Sequence, residues 1–240
     1  MVYIALHDDK TRPLSFYLAM EEYIARSKSL SEDAFFMWQV EPSVIFGRNQ
    51  DIFAEVNIDY CREQGINMFR RKSGGGCVYA DRSNVMLSYI TKAENVENTF
   101  CHYLSLIKDT LSKMGIEATS TEHNDILIEG RKVSGTAYYH LPGASIVHGT
   151  LLYSTDMDNM MHAITPSKQK MEKHGVQSVR QRITLLKDHT DMPLDDIKRF
   201  LRKNLCSTVH ELNEDDMHNI RKIEEEYDDP AFIFSKNPTH

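Results

Sequence analysis

Between residues 35 and 154 the chain carries eight short segments rich in β-branched and aromatic residues, at 35–40, 43–48, 67–71, 76–80, 85–90, 125–130, 132–139 and 145–154. Such segments suit a pleated, half-buried surface and read as strands. Several neighbours lie too close together for a helical crossover, so the sheet is expected to be mixed or mainly antiparallel. Ile126, Ile128, the Gly130-Arg131 turn and the alternating Lys132-Val133-Ser134-Gly135 stretch predict a hairpin. Helices flank this region. One carries Phe16, Met20, Tyr23 and Ile24 on one face, and a second carries Phe100, Tyr103, Leu104, Ile107, Leu111 and Met114 and is closed by Gly115. Asp191-Met192-Pro193 opens a third through Leu194, Ile197, Phe200 and Leu201; Asn213 with Asp216 opens a fourth through Met217, Ile220, Ile223 and Tyr227. The expected class is α/β (α+β), with mixed, largely antiparallel sheets flanked by helices.

With 41% hydrophobic and 26% charged residues, the chain can bury a sizeable core and does not have the composition of a disordered polymer. No repeat or linker divides it, so residues 1–240 read as a single domain. Its 28 basic against 35 acidic residues give a net charge of −7. That balance argues against a nucleic-acid partner, and any anion site must be built locally. The first twenty residues lack a basic lead-in to a long apolar run, and no stretch approaches the ~18 apolar residues of a membrane span. A cytoplasmic protein without a membrane partner is expected. Cys61, Cys77, Cys101 and Cys206 form no C-x-x-C pair and are expected to be reduced, small core residues. His140, His148, His162 and His174 show no paired spacing, so no structural metal is assigned.

The densest chemical signal is Arg70-Arg71-Lys72-Ser73-Gly74-Gly75-Gly76-Cys77-Val78-Tyr79. Three glycines let the backbone approach a ligand and turn its N–H groups toward an anion, and adjacent cations favour negative charge there. No G-K-[ST] closes it, so it is not a P-loop, nor is it a dinucleotide G-x-G-x-x-G. The same residues also read as an ordinary tight turn with a solvated basic flank. A second cluster is Asn124-Asp125-Ile126, then Arg131-Lys132-Val133-Ser134-Gly135, then His148-Gly149-Thr150-Leu151-Leu152. Lys132, on a strand beside small residues, can set a compact ammonium against a bound anion. A solvated lysine beside a turn is the plainer reading.

Taken in order, these blocks resemble the lipoate-protein ligase family, which belongs with the biotin ligases and octanoyl transferases. The matching blocks are Glu41-Pro-Ser-Val-Ile-Phe-Gly-Arg-Asn-Gln50, the Arg70–Tyr79 tract with Asp81 and Asn84, Asn124-Asp-Ile126, Lys132-Val-Ser-Gly135, His148-Gly-Thr-Leu-Leu152 and Ser178-Val-Arg180, across residues 15–235. The resemblance implies a biotin/lipoyl protein ligase-like catalytic domain that activates lipoate with ATP and transfers the lipoyl group to a lysine. It implies that Arg71, Gly75, Gly76, Cys77 and Val78, with Tyr79 adjoining, hold ATP, and that Asn124 and Asp125 face the nucleotide and its Mg2+. Lys132, the implied catalytic residue, would lie between the acyl carboxylate and the α-phosphate. Arg70, Ser134, Gly135, His148 and Gly149 would line the lipoyl pocket. The implied acceptors are lipoyl domains of 2-oxoacid dehydrogenase E2 subunits or the glycine cleavage H protein.

Three departures qualify the resemblance. No cysteine stands near Asn124-Asp125-Ile126, where the related acyl transferases carry their nucleophile, so a thioester route is disfavoured. Cys77 and Ala80 replace the alanine and histidine often found at those places. The C-terminal accessory domain of many relatives is not expected, since Tyr227–Phe234 resembles the end of the catalytic domain. A separate accessory-domain protein is therefore a further candidate partner. A transferase using a preformed acyl-adenylate is the alternative to a complete ligase, and a non-catalytic lipoate-binding protein is a third reading, which Arg71, the triple glycine and Lys132 argue against.

Overall fold

The computed structural model describes residues 1–8, 10–27, 31–93, 95–121, 125–164 and 182–235. Its larger sheet runs in the spatial order β11 (Thr208–Glu211), β1 (Val2–Ala5), β2 (Ala34–Trp38), β6 (Val85–Thr91), β10 (Ala144–Leu151), β9 (Arg131–Leu141), β8 (Asp125–Ile128) and β7 (Thr119–Ser120). β11, β1 and β2 are parallel, and every pairing from β2 to β7 is antiparallel. A smaller sheet places β3 (Ser43–Phe46) between β4 (Asn67–Arg70), to which it is parallel, and β5 (Val78–Ala80), to which it is antiparallel. The mixed, largely antiparallel expectation therefore holds. β1 and β11 were not expected; each has four residues, and β11 is an edge strand exposed throughout, with no alternation to betray it.

Alternation along the central strands divides the apolar residues between two helical layers. Phe36, Trp38, Met86, Ile90 and Ile146 face α1 (Leu14–Arg26) and α7 (Glu214–Asp228). Phe35, Leu87, Tyr89, Val147 and Leu151 face α4 (Val96–Lys113) and α6 (Leu194–Leu205). Each such side chain stabilises by roughly 1.5–3 kcal/mol on burial. The two expected helix starts are present, Pro193 preceding α6 and Asn213 with Asp216 forming a capping box on α7, and Asn95 caps α4. Short helices α2 (Ile52–Glu55), α3 (Ile58–Glu63) and α5 (Met157–Ala163) pack under the small sheet with Val44, Phe46 and Tyr79. α8 (Pro230–Phe234) ends the described chain.

Cys61 is buried, and burial raises its thiol pKa; burial pushes Cys206 up to about 11. Cys101 departs from the expectation of a core thiol, since it lies exposed on α4. Among the described residues no helix is long and apolar enough to cross a membrane.

Candidate active site

A cavity of about 220 Å³ opens between the α1 face of the large sheet and the inner face of the small one. Leu18 of α1, Trp38 of β2, Ile45 of β3 and Met86 of β6 form its apolar wall. Arg71, Gly75, Gly76, Cys77 and Val78 close one side, and Lys132, Gly135, Thr136, Ala137, His148, Gly149 and Thr150 line the other. An apolar slot thus ends in a region with two cations and a glycine loop, a shape suited to an acyl chain with an anionic end.

Lys132 reaches this cavity because β9 is irregular. The β8–β9 turn places both Glu129 (φ 50) and Gly130 (φ 74) in the left-handed region, as a two-residue hairpin turn of the primed type requires. Arg131 then pairs with Ile128 and Lys132 with Leu127, but Ser134 pairs with Ile126, so Val133 is an extra residue. In a regular strand, residues 132 and 135 would point to opposite faces. The bulge resets the alternation: Val133 packs into the α4/α6 core, while Lys132 and Gly135 share the cavity face. The Lys132 ammonium donates to Asp125 Oδ1 at 2.8 Å, the two side chains being 37% and 27% exposed. A Cβ on Gly135 would stand 2.5 Å from Lys132 Nζ, so only glycine leaves the ammonium its place. Gly149 is likewise forced, since a Cβ there would meet the Tyr103 hydroxyl at 2.7 Å.

The glycine tract is not a hairpin turn. It leaves β4, crosses the end of β3 and enters β5 on the far side. Gly47 makes the crossing possible, because a Cβ there would lie 2.2 Å from the Gly75 carbonyl oxygen, and Gly75 itself takes φ 94. The three adjacent cations are all buried, which removes the reading of a solvated basic flank. Arg71 lines the cavity, donates to the carbonyls of Ile45, Gly74 and Gly76, and is pulled down to about 10 by burial. Lys72 donates to Glu22 at 2.9 Å and Glu226 at 2.7 Å and lies 4.7 Å from the centre of the Tyr227 ring. Arg70, expected in the lipoyl pocket, is absent from its lining. Its guanidinium donates to the carbonyls of Arg48, Gln50, Phe232 and Ser235 at 2.7–2.9 Å and stacks over Phe46, tying the turn after β3 to α8.

His148 stands on β10 with Nε2 2.8 Å from Ser73 Oγ and Nδ1 2.9 Å from Glu21 Oε2. Glu21 is held further by the Ser88 hydroxyl, which itself accepts from Trp38 Nε1 at 2.8 Å.

The structure therefore brings Arg71, Gly75, Gly76, Cys77, Val78, Lys132, Gly135, His148 and Gly149 around one cavity. Asp125 adjoins it through Lys132. Tyr79 points instead into the core under the small sheet. Ser134, paired with Leu151, is buried on the opposite face from the cavity, with no hydrogen-bond partner for its hydroxyl among the described residues. Asn124 and the Ser178-Val-Arg180 block lie outside the described residues. Sequence reasoning missed Leu18, Trp38, Ile45 and Met86, which look like ordinary core positions, and Glu21. The signal for Glu21 was present: Glu21-Glu22 interrupts the apolar face of α1.

Known proteins resemble this chain in sequence and in fold. The family model described as the lipoyl protein ligase A/B catalytic domain matches residues 13–206. Lipoate-protein ligase LplJ of Bacillus subtilis is 31% identical over 232 residues, which cover 92% of this chain and 70% of that protein. Lipoate–protein ligase 1 of Staphylococcus aureus is 31% identical over 231 residues, covering 93% and 70%. Among solved structures, a bi-partite lipoate protein ligase from Thermoplasma acidophilum, described with its E2 lipoyl domain, superposes with a TM-score of 0.87 at 23% identity, covering 100% of this chain and 98% of that one. A lipoate-protein ligase A bound with ATP gives 0.84 at 22%, covering 98% and 99%. These superpositions show the same fold.

Proposed function

The chain belongs to the lipoyl protein ligase A/B catalytic-domain family, and from that premise we propose that it joins lipoate to ATP in the cavity and passes the lipoyl group to a lysine of an acceptor protein. The observation that carries this reading is the meeting of an apolar slot, a glycine loop and the bulge-placed Lys132 in one space. Lipoate is an apolar tail with a carboxylate. The Leu18, Trp38, Ile45 and Met86 wall suits the tail, and Lys132 stands where the carboxylate would emerge.

Attack of that carboxylate on the α-phosphate brings two anions together, so a fixed cation is the main catalytic resource. An ammonium carries three donors. Asp125 engages one and orients the group, leaving two for the acyl carboxylate and the phosphate. Arg71 adds positive charge to the wall while holding the loop carbonyls. The attack breaks the bond between the α- and β-phosphates and expels pyrophosphate, leaving a mixed anhydride of lipoate and AMP, whose carbonyl an acceptor ε-amine attacks with loss of AMP. No thiol is needed. Among the described residues no group of three acidic, histidine or cysteine side chains could hold a metal. Asp125 fits a magnesium ion that arrives with ATP, since such ions use one or two carboxylates plus substrate phosphates.

The acceptor we propose is a lipoyl domain of an E2 subunit or the H protein. The chain spans 70% of the length of its two closely matched curated relatives, and the Thermoplasma ligase is described as bi-partite. By analogy with that description alone, a second polypeptide acting with this chain is a further partner we propose. The test is to incubate the purified chain with lipoate, Mg-ATP and an apo lipoyl domain. AMP release with lipoylated acceptor is expected; modification only from preformed lipoyl-adenylate would make the chain a transferase, and neither product would refute the reading.

A further inference from the structure

Glu21 and Glu22 are consecutive on α1 and both buried. Buried carboxylates are costly unless hydrogen-bonded. Glu22 binds Lys72 and Tyr227 at 2.9 Å, and Arg26, and so joins α1 to the glycine tract and α7. Glu21 is used differently. Both its partners, Ser88 and His148, come from the large sheet, and His148 leads on to the cavity.

The direction of each hydrogen bond in this array follows from its first member. An indole N–H can only donate. Ser88 Oγ, 2.8 Å from Trp38 Nε1, therefore accepts, and the Ser88 hydroxyl proton is directed to Glu21 Oε1. Glu21 Oε2 takes the proton on His148 Nδ1, 2.9 Å away. In the neutral imidazole Nε2 is then an acceptor, and the Ser73 hydroxyl, 2.8 Å away, donates to it. The backbone carbonyl of Ser73 also accepts from Arg48 N at 2.9 Å, so the residue that begins the glycine loop is held at both its side chain and its backbone. Glu21, Ser73, Ser88, Trp38 and His148 are all buried.

We infer that Glu21 is a positioning residue: it holds His148 with Nδ1 protonated and, through that ring, fixes the Ser73 hydroxyl and the start of the glycine loop at the cavity. The part of this inference that concerns rate rests on the ligase reading. The carboxylate is specifically required, because Ser88 and His148 both donate to it. A glutamine has the same shape but a single acceptor, so either orientation of its amide leaves one of the two donors unmet or forces the imidazole into its other tautomer.

The test pairs nitrogen NMR of His148, assigned by its loss in His148→Gln, with steady-state kinetics of Glu21→Gln. In the unaltered chain without substrates, Nδ1 should carry the proton of the neutral ring. With lipoate and an apo lipoyl domain present, Glu21→Gln should keep the fold and the KM for ATP within about twofold while kcat for AMP release falls roughly 10–100-fold, the scale known from metal sites when an outer residue that orients a ligand histidine is removed. If Glu21→Gln does not fold, Ser73→Ala should show the same loss of kcat at unchanged KM. A proton on Nε2 in the unaltered chain, or full kcat in whichever folded variant is measured, overturns the inference. An unaltered chain that releases neither pyrophosphate from lipoate and ATP nor AMP once an apo lipoyl domain is added refutes the ligase reading instead, and the substrate-free spectrum still decides the tautomer.

Discussion

Two cationic segments meet at the cavity, and they are built in opposite ways. Arg70-Arg71-Lys72 concentrates three positive charges in three residues, and each is buried with its donors turned to protein acceptors: Arg70 to carbonyls near α8, Arg71 to the loop carbonyls, Lys72 to Glu22 and Glu226. Lys132 is a single charge on a bulged strand, over a third exposed, with one carboxylate partner. The difference teaches that local density of charge is a poor guide to which cation meets a substrate. Buried cations are dear to desolvate and persist where they are fully hydrogen-bonded. A catalytic cation must keep donors free. On this account the basic tract shapes the glycine loop, and Lys132 does the electrostatic chemistry.

The sharpest way to break this contrast is to exchange the roles by mutation. Lys132→Ala should lower AMP formation ~10²–10³-fold, as loss of one preorganised donor to a developing charge does, with an unchanged circular dichroism spectrum. Lys132→Arg should not rescue it, because a planar guanidinium cannot replace a compact ammonium above Gly135. Arg70→Met should act on stability. Each carbonyl stripped of its donor and hidden from water costs about 1–3 kcal/mol, so the melting temperature should fall on the order of 10 °C, and a catalytic loss without destabilisation would contradict the structural role of Arg70.

Two smaller effects sharpen the same comparison. Gly135→Ala would place a methyl 2.5 Å from Lys132 Nζ. The flexible lysine can yield, so stability should hold while activity falls roughly tenfold, less than the ~10²-fold that a 1 Å misplacement can cost; unchanged activity would mean that the ammonium is free to sit elsewhere. Glu226→Gln removes a half-exposed partner of Lys72 and leaves the buried one. Its cost should be under about 1 kcal/mol in denaturant titration, with lipoylation unaffected.

Much of this was legible in the sequence. Helices with a clear apolar face and a cap, such as Val96–Lys113 and Glu214–Asp228, and the Gly130 hairpin declared themselves locally. Short elements whose register is set by tertiary pairing did not: Thr208–Glu211 is a strand only because β1 lies beside it. The blocks around the glycine loop and Lys132 pointed to one site, but their division of labour depends on the third dimension. Nothing local told that Val133 would bulge and turn Lys132 to the cavity, or that Arg70 would be drawn under α8. Ser134 and Gly135 are neighbours in one motif, yet the pleat sends them to opposite faces. Glu21 was readable only as an acid on a buried helical face, and its partners Ser88 and His148 lie 67 and 127 residues away.

The central claim, that the bulge-placed lysine rather than the basic tract meets the reacting anions, is tested most directly by a crystal structure of the chain with a non-hydrolysable lipoyl-adenylate analogue. The account predicts the acyl chain against Leu18, Trp38, Ile45 and Met86, with Lys132 Nζ within hydrogen-bond distance of the group that replaces the phosphate. It also predicts Arg70 and Lys72 still on the partners they have here. Arg70 or Lys72 turned into the cavity to hold that group, with Lys132 bound only to Asp125, would contradict it.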